Sequence, residues 1–296
     1  VFVGANKQFF PTIKLKYSQL ETVDNIDEIK HPLFRESLRY VGIENGIELT
    51  SLADVVHGTG LGQSGAFLVA LLNTLYLFKG RKIDKRTLAS EACTIEIDIL
   101  KEHEGKQDKY VSAFGGIKAY TFHKDDRVSI AGVLNDDILL KELQNKLLLF
   151  FTGQSRTGTT SDALKEQDEK TKKGDKDLIE KLHEIKKIGL DTLKCFEKGD
   201  LDEFGYLLDY HWQIKKQYSP HSTNKFIDKC YAQAKKSGAY GGKIMGAGGG
   251  GGCFMFYHPG TEKEKWHFIS DMERLGLHHM PFTFDTQGVV AMQEDF

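Results

Sequence analysis

Apolar and polar positions alternate through Lys14-Leu15-Lys16-Tyr17, the period of a strand with one buried face, and predict a strand over residues 13–17. Residues 1–3 read as another strand, and so does the short run Gly46-Ile47-Glu48-Leu49-Thr50. Between them, Leu33, Leu38 and Val41 recur at near-helical spacing over residues 32–41. A stronger helical signal follows in Phe67, Leu68, Leu71, Leu72 and Leu75, ending at the stop Lys79-Gly80. Asp84 is an N-cap residue for the next helix, whose apolar face is Leu88, Ala92, Cys93, Ile95 and Ile99 and which should break near Glu104-Gly105. Glu96 stands at the edge of that face, and Asp108 falls in a loop beyond the glycine.

Residues 117–122, 128–130 and 147–151 are strand candidates, the last wholly apolar and so expected to be buried on both faces. After Thr152 the texture changes to a polar loop and then to amphipathic helix as far as Lys216. Leu178, Leu182, Ile185 and Leu193 mark one stripe; Asp200-x-x-Glu203 resembles a capping box ahead of Phe204, Leu207, Leu208 and Trp212. The run 165–176 mixes both charge signs and reads as a solvated helix face. Residues 224–236 and 262–275 predict two more helices, and 282–284 and 289–291 two closing strands. The change of texture places a domain boundary near Thr152, with domains 1–151 and 152–296.

Length and composition narrow this picture. The 296 residues suggest about two domains, and 40% hydrophobic with 28% charged residues is ordinary for a soluble globular protein. A net charge of −2 offers no broad basic field for nucleic acid. Cys93, Cys195, Cys230 and Cys253 form no Cys-x-x-Cys pair, so neither a zinc site nor a redox motif is indicated, and the pattern suits a reducing cytoplasm. Cys93 and Cys230 fall on apolar helix faces as core thiols. No apolar run is long enough to span a bilayer, and no signal peptide is visible. The chain opens at Val1 in mid-pattern, so an upstream segment is expected.

Two glycine-rich stretches interrupt the pattern. Gly58-Thr59-Gly60-Leu61-Gly62-Gln63-Ser64-Gly65 sits where a loop turns into a helix. The unpaired N–H groups and partial positive charge of a first helical turn favour phosphate, and Ser64 can offer a hydroxyl to an anion or metal. A nucleotide-binding P-loop is excluded because no Lys follows the glycines. A dinucleotide fold fits poorly: Gln63 stands where its third glycine should be, and Asp84 opens a helix rather than closing a strand. By itself the loop is as readily a tight connection. The second stretch, Gly246-Ala247-Gly248-Gly249-Gly250-Gly251-Gly252, leads into the strand-like Cys253-Phe254-Met255-Phe256-Tyr257.

A Gly-x-Gly-x-Gly-x-Ser loop at a helix start, a helix bearing Glu96 with Asp108 beyond it, and a glycine run entering a strand together resemble the GHMP family of small-molecule kinases, named for galactokinase, homoserine kinase, mevalonate kinase and phosphomevalonate kinase. Further likeness lies in Lys14 to Ser18, Glu96-Ile97-Asp98-Ile99, Ala113-Phe114-Gly115-Gly116, Thr152-Gly153 and Ser155-Arg156. Gly105-Lys106-Gln107-Asp108 points to the branch of bacterial heptose-phosphate kinases.

The resemblance implies an α+β, two-domain fold: a ribosomal-protein-S5-like α/β domain followed by a ferredoxin-like α+β domain. It implies ATP and magnesium (Mg2+) as cofactors, with a sugar phosphate as acceptor. Gly58, Thr59, Gly60, Leu61, Gly62, Gln63 and Ser64 would bind the nucleotide, and Ser64 with Glu96 the metal. Asp108 would take the proton of the attacking sugar hydroxyl, with Lys106 assisting or holding it ionised. Arg156 would clasp the substrate's own phosphate, and Gly246, Ala247, Gly248 and Gly249 would come close to substrate and triphosphate. Each has a plainer counterpart: an exposed helix glutamate, a turn aspartate, a solvated loop arginine.

The chain departs from the family pattern in lacking an opening glycine-rich segment, in Val56, and in Gln63-Ser64-Gly65 where three serines are usual. The resulting expectation is a cytoplasmic kinase acting on the anomeric hydroxyl of D-glycero-D-manno-heptose 7-phosphate, without nucleic-acid or membrane partners; a homodimer is compatible with it. A kinase for a fucose-type sugar and a catalytically silent binding homologue are the alternatives. A nicotinamide oxidoreductase has only the alternating glycines in its favour.

Overall fold

The computed structural model describes residues 1–55, 58–134, 136–154, 160–246 and 251–293. It divides into two compact units: Val1–His57, Gly62–Gly116 and Asp285–Phe296 form the first, and Gly58–Leu61 with Ile117–Phe284 the second. Both mix helix and strand, as the α+β expectation has it.

The first unit contains β1 (Phe2–Lys7), β2 (Ile13–Lys16), β3 (Leu20–Val23), α1 (Pro32–Val41), β4 (Ile47–Leu52), α2 (Gln63–Phe78), α3 (Lys85–Cys93) and α4 (Gln107–Phe114). The sheet order is β1-β4-β2-β3, with β2 and β4 parallel and the other pairs antiparallel. Period-two patterning sorts its faces: Ile13, Leu15, Ile47 and Leu49 are fully buried, while Lys14 and Lys16 on the other face both pair with Glu48. Leu68, Leu71, Leu72 and Leu75 of α2 are completely buried and form the centre of this unit. After Cys93 the helix widens into a π-helical stretch, Thr94–Ile99, in which Leu100 N–H reaches back to Ile95 O at 3.0 Å.

The second unit contains β5 (Lys118–Phe122), β6 (Val128–Gly132), α5 (Asp137–Lys146), β7 (Leu147–Phe151), α6 (Thr160–Lys172), α7 (Lys176–Lys198), α8 (Leu201–Tyr218), α9 (Lys225–Lys236), β8 (Gly241–Ile244), β9 (Cys253–Tyr257), α10 (Glu262–Arg274) and β10 (His278–His279). β5 and β6 form a hairpin, and the antiparallel sheet runs β10-β7-β9-β8. Phe150, Phe254, Phe256, Phe268 and Trp212 are fully buried in its core. Helix starts follow local chemistry: Asp200 accepts the Glu203 N–H, Asn224 accepts the Ile227 N–H, and a full capping box stands at Thr261 and Glu264. All four cysteines are free and buried. No helix among the described residues is long and apolar enough to cross a membrane.

Three expectations are corrected. The units divide after Gly116 rather than at Thr152, because β7 is an interior strand of the second sheet, between β10 and β9. Asp108 lies in the first turn of α4, not in a loop. Residues 282–284 and 289–291 are not strands. Pro281 removes a ladder donor, and the Asp285 carboxylate accepts the N–H groups of Gln287 and Gly288 at 2.7 and 2.9 Å, which makes a turn. The backbone bonds of this last segment go to the end of α4 instead: Gly116 N–H to Asp285 O at 2.7 Å and Val289 N–H to Ala113 O at 3.2 Å.

That crossing explains Ala113-Phe114-Gly115-Gly116. A Cβ on Gly115 would lie 2.2 Å from Gly288 N, and one on Gly288 would lie 2.5 Å from Ala113 O. Gly115 also has φ +65° and ψ 177°, a conformation that is essentially glycine's alone. We therefore expect Gly115→Ala to destabilise the protein by roughly 3 kcal/mol or more. Chemical denaturation checks this; a wild-type midpoint would mean that the terminal segment does not cross α4 here.

Candidate active site

Within the first unit the structure brings Gly62, Ser64, Glu96 and Asp108 together. Ser64 lies in the first turn of α2, and its Oγ donates to Glu96 Oε1 at 2.7 Å. Glu96 reaches it from the π-helical stretch, whose extra residue per turn re-aims its side chain inward, and it is 4% exposed. Asp108 lies against the start of α2: a Cβ on Gly62 would stand 3.2 Å from its Cγ and 3.3 Å from its Oδ2. The partial positive charge of that helix end suits the carboxylate. Gly65 is the closest contact, for a Cβ there would come within 2.9 Å of Asp108 Cβ and 3.1 Å of its carbonyl carbon. The glycine that breaks the usual serine run is therefore the residue that lets Asp108 approach. Lys106 is the residue just before α4.

Sequence reasoning missed Lys109. Its ammonium pairs with Glu96 Oε2, the two side chains being 2% and 5% exposed, and it donates to Gly105 O at 3.1 Å. No sequence signal marks it, because lysines are almost always solvated. Glu104 is also close enough to feel the site. Burial raises its carboxyl above the usual range, Lys109 opposes this, and Glu96 and Asp108 reinforce it. Burial pushes the Cys93 thiol up to about 11 despite Lys109 and Lys106, so it stays an inert core thiol.

Ser64 and Glu96 were expected to hold magnesium. Glu96 Oε1 accepts from Ser64 Oγ–H, while Oε2, which receives no hydrogen bond among the described residues, stands in ion contact with the Lys109 ammonium, which neutralises the carboxylate. Among the described residues no three His, Cys, Asp or Glu side chains gather as a metal-holding group. The arrangement does not fit a magnesium ligand pair.

In the second unit three glycine-containing stretches meet. Cys253 N–H donates to Thr59 O at 2.8 Å, tying Gly58–Leu61 to the start of β9. Thr152 N–H and Oγ1 both donate to Gly252 O, at 3.0 and 2.9 Å, and Gly252 N–H donates to Gln154 O at 3.1 Å. Thr59 is 2% exposed, and its hydroxyl, like Gln63 Oε1, is buried without a hydrogen-bond partner among the described residues. Of the second glycine run, Gly246 is described. Ala247, Gly248 and Gly249, together with Arg156, lie outside the described residues.

Three further residues of this unit escaped sequence reasoning. Lys215 of α8 is 5% exposed and donates to Gly246 O at 2.5 Å and Ile244 O at 3.4 Å, fixing the entry to the glycine run. Lys243 Nζ stands 3.4 Å from His211 Nδ1. Burial lowers Lys243 to about 8. Burial, then Lys243 and Lys215, lower His211 to about 3.

Within the first unit, the N-terminus of α2 thus has a carboxylate held against it and the buried Gln63 amide oxygen in its first turn. Residues 28–116 match the N-terminal domain of the GHMP kinases and residues 192–272 their C-terminal domain, together more than half of the chain. The first match ends at Gly116, where the main body of the first unit ends. The chain belongs to the GHMP kinases, phosphotransferases with a hydroxyl acceptor that use ATP. It is 28% identical over 241 residues to the D-glycero-alpha-D-manno-heptose 7-phosphate kinase of Campylobacter jejuni, covering 81% of this chain and 69% of that one. It is 26% identical to the bifunctional fucokinase/GDP-fucose pyrophosphorylase of Arabidopsis thaliana over 76% of this chain, but spans only 22% of that protein. Its fold resembles the crystal structure of a D-glycero-D-manno-heptose 1-phosphate kinase from Bacteriodes thetaiotaomicron, with a TM-score of 0.75, 22% identity and coverage of 97% and 84% of the two chains.

The His211 shift makes a prediction about stability. Below 6.5 and down to about 3, the unfolded chain binds a proton at this residue that the folded chain refuses. Stability should therefore fall as the pH drops through that window, with His211 contributing up to about 1.4 kcal/mol per unit. Denaturant titrations across the window should give a shallower slope for His211→Asn; equal slopes would mean that His211 titrates normally.

Proposed function

We propose that this protein transfers the γ-phosphoryl group of ATP to the anomeric hydroxyl of D-glycero-D-manno-heptose 7-phosphate. The observation that carries the reading is the convergence of Gly62, Ser64, Glu96 and Asp108 at the N-terminus of α2. The heptose choice is supported by the name of the Campylobacter relative, which matches over four-fifths of this chain.

On this reading the N–H groups of the first turn of α2 take the triphosphate, with Gln63 offering a further polar contact there, and Gly58, Thr59, Gly60 and Leu61 are nucleotide-binding residues by the family pattern. The sugar hydroxyl oxygen attacks the γ-phosphorus, the bond to the bridging oxygen breaks, and ADP leaves. The hydroxyl proton passes to Asp108, whose carboxylate is placed by Gly62 and Gly65. Lys106 assists at the same end of α4, and Arg156 takes the sugar's own phosphate through a bidentate contact. Gly246, Ala247, Gly248 and Gly249 bring bare backbone to substrate and nucleotide. Magnesium, where the reaction uses it, would come with the nucleotide and offset phosphate charge, and no side chain of this protein is assigned to hold it. Four free cysteines suit work in the reducing cytoplasm.

The fucokinase match supports a second reading, in which the acceptor is a free sugar of the fucose type. A coupled ADP-release assay with heptose 7-phosphate, fucose, galactose and mevalonate separates the two. Turnover is expected on the heptose phosphate; turnover on fucose alone would install the second reading, and none on any acceptor would remove both. Asp108→Asn should lower turnover by about a hundredfold or more while an ATP analogue still binds within about threefold of wild type. Near-normal turnover would take Asp108 out of the chemistry.

A further inference from the structure

We propose that Lys109 takes, at Glu96, the place that a divalent cation would otherwise fill, so that the protein has no metal site of its own at this carboxylate. The inference rests on the kinase reading only for the placing of Glu96 beside the nucleotide.

Glu96 meets a hydroxyl and an ammonium from the chain itself. Ser64 Oγ–H occupies one carboxylate oxygen at 2.7 Å, and the Lys109 ammonium pairs with the other. A third group, Gly105 O, accepts from the same ammonium at 3.1 Å, so the lysine is held from two sides. With side chains 2% and 5% exposed, water does not screen the pair. Magnesium demands near-octahedral oxygens at about 2.0–2.1 Å. A dication bound at Glu96 Oε2 would stand within a few ångströms of the ammonium, where repulsion is poorly screened. Expelling the lysine would leave it buried without its counter-ion.

Helix geometry makes the arrangement durable. Asp108 and Lys109 are neighbours in the first turn of α4, so their side chains leave the helix about 100° apart. One faces Gly62 and Gly65; the other faces Glu96. The same turn that delivers the aspartate delivers the internal cation. Lys109 is thus a positioning residue: it fixes Glu96, and through Glu96 the Ser64 hydroxyl.

The test is a titration of the full-length, nucleotide-free protein with Mn2+, followed by electron paramagnetic resonance, in the absence of sugar. No site tighter than roughly 1 mM is expected in the wild type. Lys109→Gln keeps an amide donor for Glu96 but removes the charge, and should tighten Mn2+ binding by at least about tenfold. Adding Glu96→Gln to that variant should abolish the gain. A wild-type Mn2+ site in the micromolar range that Glu96→Gln removes would overturn the proposal.

Should the variants not fold, the wild type alone decides. Nucleotide-free wild type that binds Mn2+ no tighter than roughly 1 mM is the expected result, and a micromolar site in that protein, displaced by excess Mg2+, would overturn the proposal. Neither measurement involves turnover. A failed ADP-release assay beside a silent Mn2+ titration would therefore remove the sugar-kinase reading and leave this one standing.

Discussion

The first turn of α4 comes so close to the first turn of α2 that position 65 has no room for a Cβ, and the chemistry of the first unit depends on that approach. It sets the Asp108 carboxylate against a helix N-terminus, where the dipole and free N–H groups favour negative charge. It also sends Lys109 inward to Glu96, and Glu96 in turn holds the Ser64 hydroxyl. A serine at 65, as the family pattern has it, would push Asp108 away unless α4 moved. The glycine that looks like a lost hydroxyl in the sequence is better understood as the space that Asp108 requires.

Buried charge in this unit is handled by pairing. An isolated ammonium or carboxylate as enclosed as Lys109 or Glu96 would be very costly; paired, with Ser64 donating to one carboxylate oxygen and Gly105 O accepting from the ammonium, they are tolerated. Such a pair contributes little to net stability compared with apolar packing. It does impose one geometry, because either partner misplaced leaves the other unsatisfied. In the second unit Lys215 does comparable work by a different route, turning its ammonium onto the backbone carbonyls that open the glycine run. His211, close to two ammonium groups and shielded from water, remains neutral there.

Much of the fold could be read from periodicity. The alternation at Lys14 to Tyr17 became β2, the apolar run at 147–151 became a strand buried on both sides, and the stripes at 67–75 and 178–193 became α2 and α7. Short elements were harder. β3 and β8 lack a periodic run long enough to stand out, and β10 is two residues whose strand character comes from pairing with β7. Residues 282–284 had strand-like composition, yet Pro281 and the Asp285 turn sent the backbone bonds elsewhere. The unit boundary was misplaced because a change of texture at Thr152 marks where the loops and helices begin, not where the packing changes.

By itself the sequence determined the family, the two glycine-rich stretches, and the identity of Ser64, Glu96 and Asp108 as residues worth locating, because local patterns record turns, helix starts and residue types. The tertiary structure alone decided which of those groups face one another. The π-helical stretch aims Glu96 inward, α4 carries Asp108 to Gly62, and Lys109 becomes a buried partner rather than a solvated one. The reason is physical: a lysine beside an aspartate has the same local propensities whether its ammonium meets water or a carboxylate, and only the packing of distant segments settles which.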